Sequence, residues 1–190
     1  MMRAYSFATL VASENETFEV SHLPLLLEER GPSGTLIGHM ARANDQWKLF
    51  DGQRSALAIF HGPHAYISPS WYQTHPSVPT WNYVAIHATG HPRPIGDPEQ
   101  ALEILVKTVT KYEGSFDKPW KMDFEETHLQ KLLSQIVAFE MEIVHLEGKF
   151  KLGQNRPAKD FPGVIEALQK SNDTAARDTA KLMAQYKKFE

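Results

Sequence analysis

Three short stretches carry side chains whose types and spacing suit ligand chemistry. The first is Gly38-His39-Met40-Ala41-Arg42-Ala43-Asn44, which runs from a strand-like segment into a helix start. Unpaired backbone N–H groups at such a start favour an anion, Arg42 adds a permanent charge, and His39 adds a second donor. The same residues also read as an ordinary Asn cap beside a surface arginine. The second is Ser68 to Trp81, which combines Trp71, Tyr72, His75 and Trp81 with Pro69, Pro76 and Pro79. Stiff, flat side chains on a long loop suit a planar heteroaromatic ligand. They serve equally to fill a core or a subunit contact. The third is Lys149 to Pro157 (KFKLGQNRP), where Gln154 and Asn155 can meet the polar edge of such a ring and the cations its phosphate. Its plain alternative is a polar turn between strand and helix.

Other chemistries find less support. His61-x-x-His64 and His87-x-x-x-His91 have spacings that place two metal ligands on one face of a helix. Both pairs fall in strand or turn context with no acidic residue to complete them, so no metal site is expected. No serine stands in a GxSxG elbow, and neither GxGxxG nor GxxxxGK occurs. The chain of 190 residues contains no cysteine, which excludes disulfides, thiolate metal sites and a thiol nucleophile. A net charge of −3 gives no global attraction to nucleic acid. The Met1 end does not read as a signal peptide, and no apolar run reaches the roughly 18 residues of a membrane span. A cytoplasmic location is the corresponding expectation.

The elements that must position these stretches divide at residue 97. Before it, alternation predicts strands over Phe7 to Ser13, Thr17 to Glu28, Thr35 to Ala41, Ala56 to Phe60, Ala65 to Tyr72 and Trp81 to Gly90. Pro24 argues for an edge or a bulge, Gly62-Pro63 for a break, and Asn44 for the cap of a short helix over Asp45 to Phe50. After it, Asp97-Pro98-Glu99-Gln100 is a helix start and Gly114 the stop. Asp123 is read as the cap of a second helix reaching Val137. A late strand follows over residues 139–152, broken by a turn at Glu147-Gly148, and then helices within 162–188. A single domain over 1–190, mainly β with peripheral α, is expected. Strands gathered before helices argue for a barrel or sandwich and against a βαβ sheet.

Five runs together resemble the PaiB family: SHLPLLL (Ser21 to Leu27), GHMARAN (Gly38 to Asn44), GPHAYISPSWY (Gly62 to Tyr72), VPTWNYVAIHATG (Val78 to Gly90) and GKFKLGQNRP (Gly148 to Pro157). The resemblance implies a six-stranded Greek-key split β-barrel, an FMN-binding split barrel with helices packed outside, related in fold to pyridoxamine-phosphate oxidases. It implies FMN in grooves of a homodimer, with a phosphate role for His39, Arg42 and Asn44. Flavin-edge and stacking roles fall to Trp71, Trp81, Asn82, Gln154 and Asn155. It also implies a transcriptional regulator or flavin-linked sensor. DNA enters only by that analogy, since no basic recognition helix is present. A flavin-dependent oxidoreductase and a haem-binding split barrel are the alternatives. The chain departs from the family in opening almost directly at Phe7. It departs again where a Lys-Leu-Ser-Gln-Asn pattern reads Lys151-Leu152-Gly153-Gln154-Asn155.

Overall fold

The computed structural model describes residues 1–186. A short β1 (Phe7–Glu14) buries Ala8, Leu10 and Ala12 and turns their neighbours outward, as a period of two requires. Asn15 and Glu16 then both adopt left-handed backbone (φ 47° and 67°), the geometry that suits a two-residue hairpin, and the chain returns as β2 (Thr17–Pro24). Registers run from Phe7 opposite Pro24 to Glu14 opposite Thr17. The expected single strand over Thr17 to Glu28 is in fact two. Pro24 has no N–H for a ladder, so β2 ends there, Leu25 is buried, and β3 (Leu26–Glu28) begins a new pairing with β4 (Thr35–Ala41). The sheet has seven strands where the resemblance implied six.

With β5 (Ala56–Ile67), β6 (Thr80–Pro94) and β7 (Ile136–Lys151), the sheet order is β2-β1-β5-β6-β7-β4-β3. β1 pairs antiparallel with β2 and β5, and β4 with β3 and β7. The neighbours β1–β5 and β7–β4 are not consecutive in the chain and mark crossovers in the sheet. β5 is continuous where Gly62-Pro63 was expected to break it. Burial shows how it passes: Phe60 is buried, His61 exposed, Gly62 and Pro63 both buried, then His64 exposed. The strand thus absorbs the proline with one extra inward residue. β7 likewise continues through Glu147-Gly148, and the expected strand through Tyr72 stops at Ile67. Pro69–Trp71 is instead a 3-10 turn capped by Ser68, whose Oγ accepts from the Ser70 N–H.

Helix α1 (Pro98–Glu113) begins as its sequence predicts, with Asp97 Oδ1 accepting from the Glu99 N–H and Oδ2 from the Gln100 side chain. Helix α2 is shorter than expected. It covers Glu126–Ser134, starts after Glu125 without a side-chain cap, and leaves Ile136 and Val137 to open β7. Asp123 does not cap it. α3 (Phe161–Gln169) and α4 (Thr174–Tyr186) follow. The last two residues of the expected helix to Lys188 lie outside the described residues. No helix among the described residues is long and apolar enough to cross a membrane.

By compactness the chain divides into two units. The first comprises Met1–Phe60 with His87–Glu147, the second His61–Ile86 with the chain from Gly148 onward. In the first, Leu10, Leu36, Phe60, Phe139 and Met141 are fully buried, and Phe50 tilts against Phe139 at 4.9 Å. Gly90 permits a close approach there, because a β-carbon would fall 2.1 Å from the Glu142 carbonyl oxygen. In the second, Leu152, Val164, Leu168, Ala180 and Met183 are buried under the paired helices α3 and α4.

Candidate functional site

The first unit holds His39, Arg42 and Asn44 at the end of β4. Residues Asp45–Leu49 form a five-residue 3-10 turn, too short to sum backbone dipoles as a longer α-helix does. The side chains, not a dipole, therefore carry any anion contact. Arg42 donates from Nε to the Ser134 carbonyl and from Nη2 to that of Ile136, both at 2.8 Å. Its guanidinium lies 5.8 Å from the Trp47 ring centre. Asn44 is the expected cap, with Oδ1 accepting from the Gln46 N–H at 3.0 Å and Nδ2 donating to Ser21 Oγ at 2.8 Å. His39 is half-buried, burial holds its pKa below the ordinary imidazole value, and its buried Nδ1 has no hydrogen-bond partner among the described residues.

The same unit contains a cavity of about 300 Å³ that sequence reasoning missed. Its floor is Glu140, whose carboxylate receives the Arg30 and Arg93 guanidiniums. Burial alone would raise the Glu140 pKa, but the two arginines hold it below the usual carboxylate value. The signal was absent from the sequence because the three residues belong to segments far apart in the chain.

The second unit gathers the other candidates. Its residues 61–86 include no Asp, Glu, Lys or Arg, so the segment is aromatic, polar and uncharged apart from histidine. Trp81 at the start of β6 is 53% exposed. Its ring has Tyr66 edge-on at 6.1 Å and His64 at 6.2 Å, both from β5. Lys151 reaches the adjacent Thr80, Nζ to Oγ1 at 2.6 Å. Sequence reasoning chose Trp81 but not Tyr66 or His64, which the alternation of β5 places outward.

Asn82 points the other way along β6. It is 2% exposed, its Nδ2 donates to Met183 Sδ at 3.4 Å, and its buried Oδ1 has no partner among the described residues. It lines a cavity of about 10 Å³, the room of one water, together with Tyr72, Gly153, Arg156, Asp160 and Met183. Gln154 turns back on its own chain, donating to the Phe150 carbonyl and accepting from the Leu152 N–H at 2.8 Å. Asn155 is exposed. Gly153 has φ +89°, a left-handed conformation that a side chain would strain.

The loop between β5 and β6 is tied down by residues the sequence did not single out. Asp160, its side chain 1% exposed, accepts from the Gln73 and Thr74 N–H groups, each at 2.9 Å. Arg156 pairs with Asp160 at 2.6 Å, donates to Ser77 Oγ at 2.8 Å, and lies 4.0 Å over the Tyr72 ring. Burial would raise the Asp160 pKa, but the Thr74 backbone N–H and Arg156 bring it below the ordinary value. Trp71 is half-buried, and its carbonyl oxygen would stand 2.4 Å from any β-carbon at Gly163. Among the described residues no group of three or more His, Asp or Glu converges as a metal site.

Comparison with known proteins bears on this arrangement. Residues 1–152 match the family described as "Putative FMN-binding domain". The chain is 37% identical over 179 residues to protease synthase and sporulation protein PAI 2 of Bacillus subtilis, covering 94% of this chain and 86% of that protein. The chain belongs to the PaiB family of FMN-binding domains. An uncharacterized protein of Emericella nidulans is 30% identical, with 86% of this chain and 80% of that one covered. Among solved structures, the FAD and heme binding protein from Mycobacterium smegmatis superposes with a TM-score of 0.60 at 11% identity, covering 85% of this chain and 73% of that one. The flavocytochrome Anf3 from Azotobacter vinelandii gives 0.59 at 13%, covering 85% and 69%. These two share the split-barrel fold. This PaiB-family chain is an FMN-binding split-barrel protein. Its donor set fits that cofactor, since a half-exposed indole beside a second aromatic ring, with a lysine near, matches a flat ring bearing a phosphate.

Proposed function

We propose that the isoalloxazine of FMN rests on the outward face of the second unit, against Trp81 with Tyr66 beside it. The half-exposed Trp81 ring is the observation that supports this reading, because an aromatic surface of that size is costly to leave in water unless something covers it. Trp71, Asn82, Gln154 and Asn155 belong to the same proposal, Asn82 and Gln154 as groups that shape the surface from beneath or beside it. A second, separate proposal gives His39, Arg42 and Asn44 a phosphate contact within the first unit, where the unpartnered His39 Nδ1 supports it. Residues 1–190 act in this reading as a single flavin-binding domain in the cytoplasm.

The biological role we propose is that of a flavin-linked sensor or transcriptional regulator that works as a homodimer. Exposed apolar side chains on strands, among them Phe18 and Val20 on β2 and Val144 and Leu146 on β7, support pairing through the sheet. The deciding experiment is fluorescence titration of the purified protein with FMN, alongside light scattering. Quenching that saturates in wild type but weakens in Trp81→Leu supports the site, and equal curves reject it. A monomer at micromolar concentration rejects the dimer.

A further inference from the structure

We propose that Arg156 and Asp160 are positioning residues for flavin binding. By clamping the loop Tyr72 to Ser77 they fix the surface that leads into Trp81. The inference rests on the flavin-site reading above. Asp160 commits both carboxylate oxygens, Oδ1 to two consecutive loop N–H groups and Oδ2 to Arg156. Arg156 spends its guanidinium on the same loop, donating to Ser77 Oγ and to the Thr74 carbonyl and covering the Tyr72 ring. The loop is thereby gripped at four successive places: ring, paired amides, carbonyl and hydroxyl. Only three residues separate Ser77 from Trp81, so an error in the loop passes almost directly to the indole.

The clamp is supplied from outside the part of the chain that defines the family. The match ends at residue 152, whereas the gripped loop lies inside it. Asp160 is buried, and Arg156 commits Nε and Nη2 to Asp160, Thr74 and Ser77. They act through other residues. A charge-assisted clamp of this kind reduces the ordering that binding would otherwise have to impose, which is how preorganisation raises affinity.

The test uses the full chain with Asp160→Asn, Trp81→Leu and the double variant, each titrated with FMN. Amide hydrogen exchange is followed at Gln73 and Thr74, and thermal melts verify folding. Positioning predicts roughly tenfold weaker FMN binding for Asp160→Asn, faster exchange at both amides, and no additional weakening when Trp81 is already Leu. Ser77→Ala, which removes one neutral bond, should weaken binding about threefold and serves if Asp160→Asn does not fold. Arg156→Lys should recover part of the affinity that Arg156→Ala loses. Faster exchange with unchanged affinity overturns the inference and leaves the flavin site standing, as does full additivity in the double variant. Wild type that fails to bind FMN overturns the site and the inference together.

Discussion

The end of β4 and the stretch from Ser68 to Trp81 both offered ligand-binding side chains in the sequence, and the structure treats Arg42 and Asn44 differently from Trp81. At β4, Arg42 and Asn44 place their polar atoms on the chain's own carbonyls, amides and hydroxyl. At β5–β6, Trp81 and Tyr66 keep large parts of their rings in solvent, while the polar work beneath is done by Asp160 and Arg156. A cation next to a cap is a natural partner for a helix end, so it is easily consumed by the fold. An exposed aromatic pair has no such internal use. Exposure, more than residue type, separates the two regions.

The sharpest way to break this contrast is Trp81→Leu. It should lower FMN affinity by about 1–3 kcal/mol, the range for stacking on a planar base, in a flavin titration. It should move folding stability by no more than about 0.5 kcal/mol in a denaturant melt. A large loss of stability with unchanged affinity would make Trp81 a packing residue. Arg42→Ala should show the reverse emphasis, with stability falling by about 1–2 kcal/mol as the Ser134 and Ile136 carbonyls lose their donor. If FMN affinity falls by a comparable amount in the folded protein, the phosphate proposal gains. Asn44→Ala should cost about 1 kcal/mol of stability through the lost cap of the 3-10 turn, read from the same melts.

The smallest expected effect concerns pH. The folded Glu140 pKa is depressed, so its ion pairs stabilise the protein above the ordinary carboxylate range, and that contribution fades as pH falls below 4.5 through the folded value. Glu140→Gln should therefore flatten the acid limb of stability against pH. An unchanged limb would mean that the Arg30–Glu140–Arg93 cluster does not titrate with unfolding.

The fold was largely legible because its signals are local. Asp97-Pro98 announced α1, Asn44 announced the 3-10 turn, and the short apolar runs of β1 and β4 gave those strands nearly to the residue. Pro24 gave warning without its consequence, since only tertiary packing decides whether a chain bulges or starts a new strand. The helix expected to reach Val137 failed for a similar reason. Ile136 and Val137 suit either state, and the antiparallel pairing with Ala41 and Met40 on β4 decides for strand. In the candidate site, the aromatic setting of Trp81 was legible. Asp160 was not, because a carboxylate that grips amides more than eighty residues away leaves no local trace.

The additional inward residue at Gly62-Pro63 works as a change of parity. Ahead of it the odd-numbered positions of β5 face outward, as His61 does, and after it the even-numbered ones do, as with His64 and Tyr66. Tyr66 stands beside Trp81 only because the count was shifted once. Had the strand kept strict alternation through this step with no residue removed, Tyr66 would face inward and Ile67 outward, and the aromatic pair would be dismantled without altering either of its members.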